Sequence, residues 1–104
     1  MSLMARLYGL PVEAIAKLHA IFSNNSGVKK VILYGSRAMG NYRTGSDIDL
    51  CIDSESLDLT ALFTIERQID ELLLPWKVDL SLKSAIDNPD LIAHIEEKGI
   101  QFYP

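Results

Sequence analysis

The stretch that decides the fold is residues 35–50, which read GSRAMGNYRTGSDIDL. Gly35 follows an apolar run typical of a strand and allows a sharp turn, and Ser36 stands where a short helix begins. Backbone N–H groups exposed at such a turn, at the positive end of a helix dipole, are typical of a phosphate-binding site. A Gly-Ser pair after a strand is more often an ordinary turn, so the residues that follow decide between the two.

Two aspartates near the end of this stretch favour the functional interpretation. In a strand, Asp47 and Asp49 project to one face while Ile48 and Leu50 project to the core. A third acid, Asp79, occupies an outward position of a later strand and joins the first two if these strands are neighbours. Carboxylates about 5 Å apart repel by roughly 3 kcal/mol at an effective dielectric of ~20, so such a cluster requires cations or raised pKa values. Considered alone, Asp79 is better explained as a solvated strand residue.

The rest of the chain alternates between helical and strand patterns. Helices are predicted over residues 11–24, 57–74 and 89–98, and strands over residues 28–34, 47–53, 76–82 and 100–103. The long helix between the second and third strands predicts a parallel, right-handed crossover, whereas the relative direction of the first two strands stays open. The pattern predicts an α/β (α+β) fold, a small mixed β-sheet flanked by helices, as a single domain over residues 1–104.

The composition excludes several classes of function. Hydrophobic residues make up 48% and charged residues 23% of the 104 residues, as in a folded domain. The formal net charge of -4 argues against broad binding to nucleic acid or to an anionic membrane surface. No apolar run approaches the ~20 residues of a membrane span, and no signal-peptide pattern is present. We therefore expect a cytoplasmic protein.

Residues 35–50, together with Asp79, resemble the polymerase-β-like nucleotidyltransferase superfamily. In that superfamily Gly-Ser is followed, after about ten residues, by Asp-x-Asp and by a third acid on a later strand. The form Gly-Ser-Arg-Ala-x-Gly, followed by Ser-Asp-Ile-Asp-Leu, is similar to that of the minimal nucleotidyltransferases (MNT). These are prokaryotic proteins paired with helical HEPN proteins in toxin–antitoxin modules. The resemblance implies the polymerase-β-like nucleotidyltransferase fold.

The resemblance also implies an activity and its residues. The expected reaction transfers a nucleoside monophosphate, AMP from ATP, to a hydroxyl on a HEPN-domain partner protein. Gly35 and Ser36 are implied to hold the phosphates, and the catalytic residues Asp47, Asp49 and Asp79 to hold two Mg²⁺ ions or, in their place, Mn²⁺. Such ions activate the acceptor hydroxyl and neutralise the triphosphate.

Arg37 and Ser46 complete the predicted nucleotide-binding set. Arg37 is suited to contact phosphate, and capping of local carbonyl groups is an equally weighted alternative. Ser46 is expected to orient the turn rather than act as a nucleophile, because no histidine lies in its motif. Many relatives have a second arginine at the position of Met39, so part of the positive charge expected around the triphosphate is missing, and Arg43 is positioned to compensate.

Other reactive residue types favour structural interpretations. His19 and His94 lack the company of further metal ligands, so we expect both to be structural. Cys51, the only cysteine, has no intrachain disulfide partner and is expected to be a small packed side chain. Trp76 is predicted to anchor the core face of the third strand.

Two alternatives to a protein-modifying enzyme remain open. The chain is either a non-catalytic antitoxin that neutralises its partner by binding, or a small-molecule transferase of the aminoglycoside type. A chain of this length does not enclose its own site, so we expect a homo- or hetero-oligomer in which a partner supplies the missing wall. The apolar residues predicted for that interface are Phe63, Leu74, Pro75 and Tyr103.

Overall fold

The computed structural model describes residues 6–104. Its elements, in chain order, are β1 (Arg6–Leu7), β2 (Leu10–Pro11), α1 (Val12–Ser23), β3 (Val31–Tyr34), α2 (Ser36–Met39), β4 (Ile48–Ile52), α3 (Leu59–Asp70), β5 (Val78–Leu82), α4 (Pro89–Lys98) and β6 (Ile100–Tyr103). A single 3₁₀ turn, Lys83–Ala85, separates β5 from α4. Within the described part of the chain, no helix is long and apolar enough to cross a membrane.

Four of the strands form one mixed sheet in the order β5-β4-β3-β6. The β4 and β5 strands are parallel, as the long helix between them predicts. The β3 strand runs antiparallel to both of its neighbours, which resolves the direction that the sequence leaves open. The predicted fold class, a small mixed sheet flanked by helices, is confirmed.

Helices cover both faces of this sheet. On one face, α1 and α3 bury Phe22 and Ile65 against a core that includes Leu50. On the other face, α4 places Ile95 over a smaller cluster that includes Cys51. The alternation of β4 sends Asp49 to the same face as Cys51, so α4 covers the sheet on the side that carries this carboxylate.

Several element ends follow from local chemistry. The Asn88 side chain caps α4 by accepting the backbone N–H groups of Asp90 and Leu91, with Pro89 as the first helical residue. Gly99 follows the last helical residue, and the chain then enters β6 on the edge of the sheet. These boundaries agree with the prediction.

Other elements are shorter than predicted. The strand predicted over residues 28–34 begins only at Val31, because the Lys29 N–H is bonded to the Ser54 hydroxyl instead of to a neighbouring strand. The helix predicted over residues 57–74 spans Leu59–Asp70, and Leu73 then adopts a positive φ of 53° before Pro75. The two-residue strands β1 and β2 were not predicted, since they are too short to show a period.

Candidate active site

Two of the three predicted acids lie side by side in the sheet. Asp49 on β4 and Asp79 on β5 are direct partners in the parallel ladder, and Asp47 immediately precedes β4. Asp49 is partly buried, whereas the other two are exposed. The structure therefore brings the three predicted carboxylates to the same end of two neighbouring strands and leaves them accessible from solvent.

The charge of this group is only partly compensated. Burial raises the pKa of the Asp49 carboxyl above its usual value of 3.8, and the neighbouring Asp79 and Asp47 raise that pKa further. The positive charge of Lys77 offsets part of this effect. Among residues 6–104, no three His, Cys, Asp or Glu side chains are arranged closely enough to form a ready-made ion site. The donor set nevertheless suits a divalent cation, because carboxylate oxygens are hard ligands and their repulsion is relieved by positive charge.

Gly35 forms the turn between β3 and α2. Its φ of 75° and ψ of -155° lie where side chains are disfavoured, and a Cβ built on this residue would collide with Oδ2 of Asp49. The turn therefore packs directly against the central carboxylate, and only glycine fits there. Ser36 follows as the first residue of α2, where helix geometry leaves its N–H without a partner inside the helix.

Arg37 takes the second of its two predicted roles. Its side chain is 2% exposed, and its guanidinium donates to the carbonyl oxygens of Tyr8 at 2.9 Å, Thr44 at 3.2 Å and Ser46 at 2.8 Å. These bonds occupy the guanidinium N–H groups that would otherwise donate to a phosphate. The predicted phosphate contact by Arg37 is accordingly replaced by capping of loop carbonyls, which fixes the segment leading into β4.

Aromatic side chains also pack against Arg37 and the loop that it holds. The guanidinium of Arg37 lies 5.2 Å from the ring centre of Tyr42 and 5.9 Å from that of Trp76. Trp76 also donates from Nε1 to the carbonyl oxygen of Thr44 at 3.1 Å. Trp76 was predicted to anchor the third strand; it precedes β5, packs partly against the core and ties the loop to it.

Ser46 organises the turn before Asp47. Its hydroxyl accepts the Arg43 N–H at 2.8 Å, and its own N–H donates to the Arg43 carbonyl at 3.0 Å. This geometry supports the orienting role. Arg43 and Met39 are both exposed, so the guanidinium of Arg43 is accessible to a ligand or partner.

We predict that Arg37→Ala destabilises the fold without a specific effect on nucleotide affinity. The carbonyl groups of Tyr8 and Ser46 would lose their side-chain donor, and that of Thr44 would keep only Trp76. Together with the loss of a buried side chain, we expect this to cost about 3 kcal/mol of the free energy of unfolding. Urea denaturation measures this, with Arg43→Ala on the same loop as an exposed control that should change little. A variant that keeps its stability but loses nucleotide affinity would restore Arg37 as a phosphate contact.

Two residues lie at the site that the sequence does not predict to be part of it. Tyr34 is the partner of Asp49 in the β3–β4 ladder, and burial followed by the charges of Asp79 and Asp49 raises its pKa, although a hydrogen bond with Ser81 lowers it. His94, predicted to be structural, accepts the Gly35 N–H through Nε2 at 3.1 Å. No local pattern signals this contact, because the two residues are 59 positions apart in the chain.

The remaining structural predictions are confirmed. His19 bonds through Nε2 to the Phe102 carbonyl at 2.6 Å and stacks edge-on against Phe102. Cys51 is fully buried, and this burial, with the charge of Asp53, raises the pKa of its thiol to about 11. An inaccessible, protonated thiol is a packing group rather than a nucleophile.

Comparison with known sequences finds close parallels. The family model "Polymerase beta, Nucleotidyltransferase" matches residues 16–104. A Methanocaldococcus jannaschii protein described as a putative protein adenylyltransferase is 36% identical over 86 residues, which cover 82% of this chain and 87% of the relative. The protein adenylyltransferase MntA of Thermococcus cleftensis is 30% identical over 84 residues, covering 80% of this chain and 85% of that protein.

Solved structures share the fold. A chain in the crystal structure of a toxin–antitoxin with AMP-PNP superposes with a TM-score of 0.68 at 22% identity, covering 85% of this chain and 71% of that one. A chain in the structure of tri-AMPylated Shewanella oneidensis HEPN toxin in complex with MNT antitoxin gives a TM-score of 0.64 at 19% identity, covering 88% and 70%.

Proposed function

The chain belongs to the polymerase-β nucleotidyltransferase family, and we propose that it is a protein adenylyltransferase, the antitoxin that modifies a HEPN toxin with AMP from ATP. The family predicted from the motif is thereby confirmed. The observation that carries the proposal for this chain is the pairing of Asp49 with Asp79 directly against the Gly35 turn. A turn suited to phosphate beside a pair of carboxylates suited to divalent metal is an arrangement that supports metal-assisted phosphoryl transfer.

Divalent metal is the cofactor expected for this family. For this chain we assign Asp47, Asp49 and Asp79 as the residues that would hold two Mg²⁺ ions, with Mn²⁺ as a substitute. Bound ions would neutralise the triphosphate and make the acceptor hydroxyl more acidic. The support is the donor chemistry and the unfavourable charge of Asp49, which a cation would relieve.

The proposed reaction uses these positions. The hydroxyl oxygen of the acceptor attacks the α-phosphorus of ATP, a new O–P bond forms, and the bond to the bridging oxygen breaks to release pyrophosphate. Asp79, exposed beside Asp49, takes the proton that the hydroxyl loses. The turn at Gly35 lets the phosphates approach the backbone closely, and the hydroxyl and N–H of Ser36 bind them. Ser46 and Arg37 keep the loop before Asp47 in place.

The partner is the HEPN toxin, which covers the exposed carboxylates and supplies the hydroxyl. Of the four residues predicted for the interface, Phe63 is 61% exposed and Pro75 is also exposed, so both are available for contact. Leu74 and Tyr103 pack partly against the core and contribute less. The hetero-oligomer, the single domain over residues 1–104 and the cytoplasmic location remain predictions; of that domain, residues 1–5 lie outside the described part.

Incubation of the purified chain with ATP, Mg²⁺ and its cognate HEPN toxin tests the proposal. We expect the intact mass of the toxin to increase by one or more AMP units. The control, Asp47→Asn, should still form the complex but leave the mass of the toxin unchanged.

Two outcomes would contradict this proposal. A stable complex with no added mass, together with full neutralisation by Asp47→Asn, would identify a binding antitoxin. Transfer of AMP to an aminoglycoside, with none to the toxin, would identify a small-molecule enzyme.

A further inference from the structure

A histidine from the last helix reaches the turn beside the carboxylates. His94 Nε2 lies 3.1 Å from the backbone nitrogen of Gly35. A backbone N–H only donates, so Nε2 is the acceptor and the neutral ring carries its proton on Nδ1. The imidazole also meets the Tyr34 ring nearly edge-on, with ring centres 6.1 Å apart and planes at 76°. His94 is therefore held by two neighbouring residues of the turn.

The scaffold that carries His94 is rigid on the sheet side. Ile95, the next residue of α4, is 2% exposed and packs in the cluster that contains Ile32 and Tyr34. Because the helix backbone is fixed by this packing, the acceptor at His94 has a fixed position relative to β3. The hydrogen bond from the Gly35 N–H to His94 therefore restrains the peptide between Tyr34 and Gly35.

That peptide controls the geometry of the proposed phosphate site. Gly35 has a φ of 75°, a conformation that its missing side chain permits but does not enforce. Its N–H is occupied by His94, which leaves Ser36, the next residue, to donate to phosphate. Any rotation about Gly35 would swing Ser36 away from Asp49, whose carboxylate lies against the same turn.

We propose that His94 is a positioning residue, whose hydrogen bond to the Gly35 N–H holds the turn in the orientation that binds the phosphates of the nucleotide. This inference rests on the proposed function and adds a residue outside the sequence motif. A preformed turn does not have to be ordered when ATP binds, so His94 contributes to nucleotide affinity. It has no role in breaking or forming bonds.

Three substitutions at His94 distinguish the contribution of its hydrogen-bond acceptor from that of its aromatic ring. His94→Phe keeps an aromatic ring against Tyr34 but has no acceptor. His94→Gln places an amide oxygen near the position of Nε2, whereas His94→Asn places it near that of Nδ1, out of reach of Gly35. Glu97→Gln on the exposed side of α4 is the control.

The readouts are KM for ATP and kcat in the toxin-modification assay, and the Kd of AMP-PNP by calorimetry. We expect His94→Phe and His94→Asn to raise KM and Kd about five- to tenfold with kcat within twofold, as for loss of one hydrogen bond. His94→Gln should restore most of the affinity, and Glu97→Gln should match the parent. Hydrogen exchange at the Gly35 amide should accelerate in the Phe and Asn variants and stay slow in the Gln variant.

The comparison of Gln with Asn decides the matter even if the Phe variant folds poorly, because these two differ by one methylene. Equal nucleotide affinity in His94→Gln and His94→Asn, or parental affinity in all three His94 variants, overturns the positioning role. The proposed function stays intact in that case if the parent transfers AMP normally. A parent that binds no AMP-PNP and modifies no toxin overturns both.

Discussion

Asp49→Asn is expected to lower kcat for AMP transfer by about a thousandfold or more while the variant still folds and binds its partner. Asp49 is the central carboxylate, paired with Asp79 in the sheet and packed against Gly35. An amide in its place removes a charged ligand needed at the proposed metal site, which costs several kcal/mol of transition-state stabilisation. The time course of toxin mass measures the rate.

The same variant should lose its response to ligands. Mg²⁺ with an ATP analogue is expected to raise the melting temperature of the parent by mass action and to leave that of Asp49→Asn unchanged. Asp87→Asn, a change of the same kind at an exposed position before α4, should behave as the parent in both assays. A metal and nucleotide response in Asp49→Asn equal to that of the parent would show that Asp49 is not part of the site.

In the absence of metal, Asp49→Asn should make the chain more stable at neutral pH. The folded-state pKa of Asp49 is raised, so the folded protein holds this proton to higher pH than the unfolded chain does. The stability gained from that proton is complete below the usual value of 3.8 and is lost as pH rises through the raised folded pKa. Urea denaturation should therefore show a stability gain for the Asn variant at pH 7 that shrinks towards pH 3.

Gly35→Ala is expected to lower kcat/KM for ATP by about a hundredfold. The added Cβ would occupy the space of Asp49 Oδ2, so either the turn or the carboxylate must move, and misplacement by about 1 Å has an effect of this size. Gly40→Ala is the control, because Gly40 also has a positive φ, of 82°, but its Cβ would meet nothing within 4 Å. The ψ of 5° makes Gly40 left-handed helical, whereas the ψ of -155° places Gly35 in a region almost confined to glycine, so Gly35→Ala has both the collision and the larger backbone strain.

Circular dichroism should show that both glycine variants keep their secondary structure, and calorimetry with AMP-PNP should show weakened binding only for Gly35→Ala. Equal nucleotide affinity in the two variants would mean that the close approach at Gly35 has no part in binding.

The sequence predicted the features that depend on local spacing. The alternation around Asp49 placed the carboxylates on one face, and the long helix before Asp79 predicted the parallel pairing of their strands. The residues that escaped prediction depend on contacts between distant segments. The carbonyl of Tyr8 that helps to bury Arg37, and the imidazole of His94 that meets Gly35, come from opposite ends of the chain. No periodicity within a single element carries information about such contacts.

Chemical labelling of Cys51 can report how often the β4 strand opens. Cys51 is the only cysteine, it is fully buried, and it lies two residues from Asp49 on the same face of β4. A thiol reagent can react only while the sheet is transiently open at that strand, so the labelling rate measures the frequency of opening beneath the carboxylates. Ligands that bind at the carboxylates would slow the labelling of Cys51. The labelling rate of the chain, without any added probe group, would therefore report whether the site is occupied.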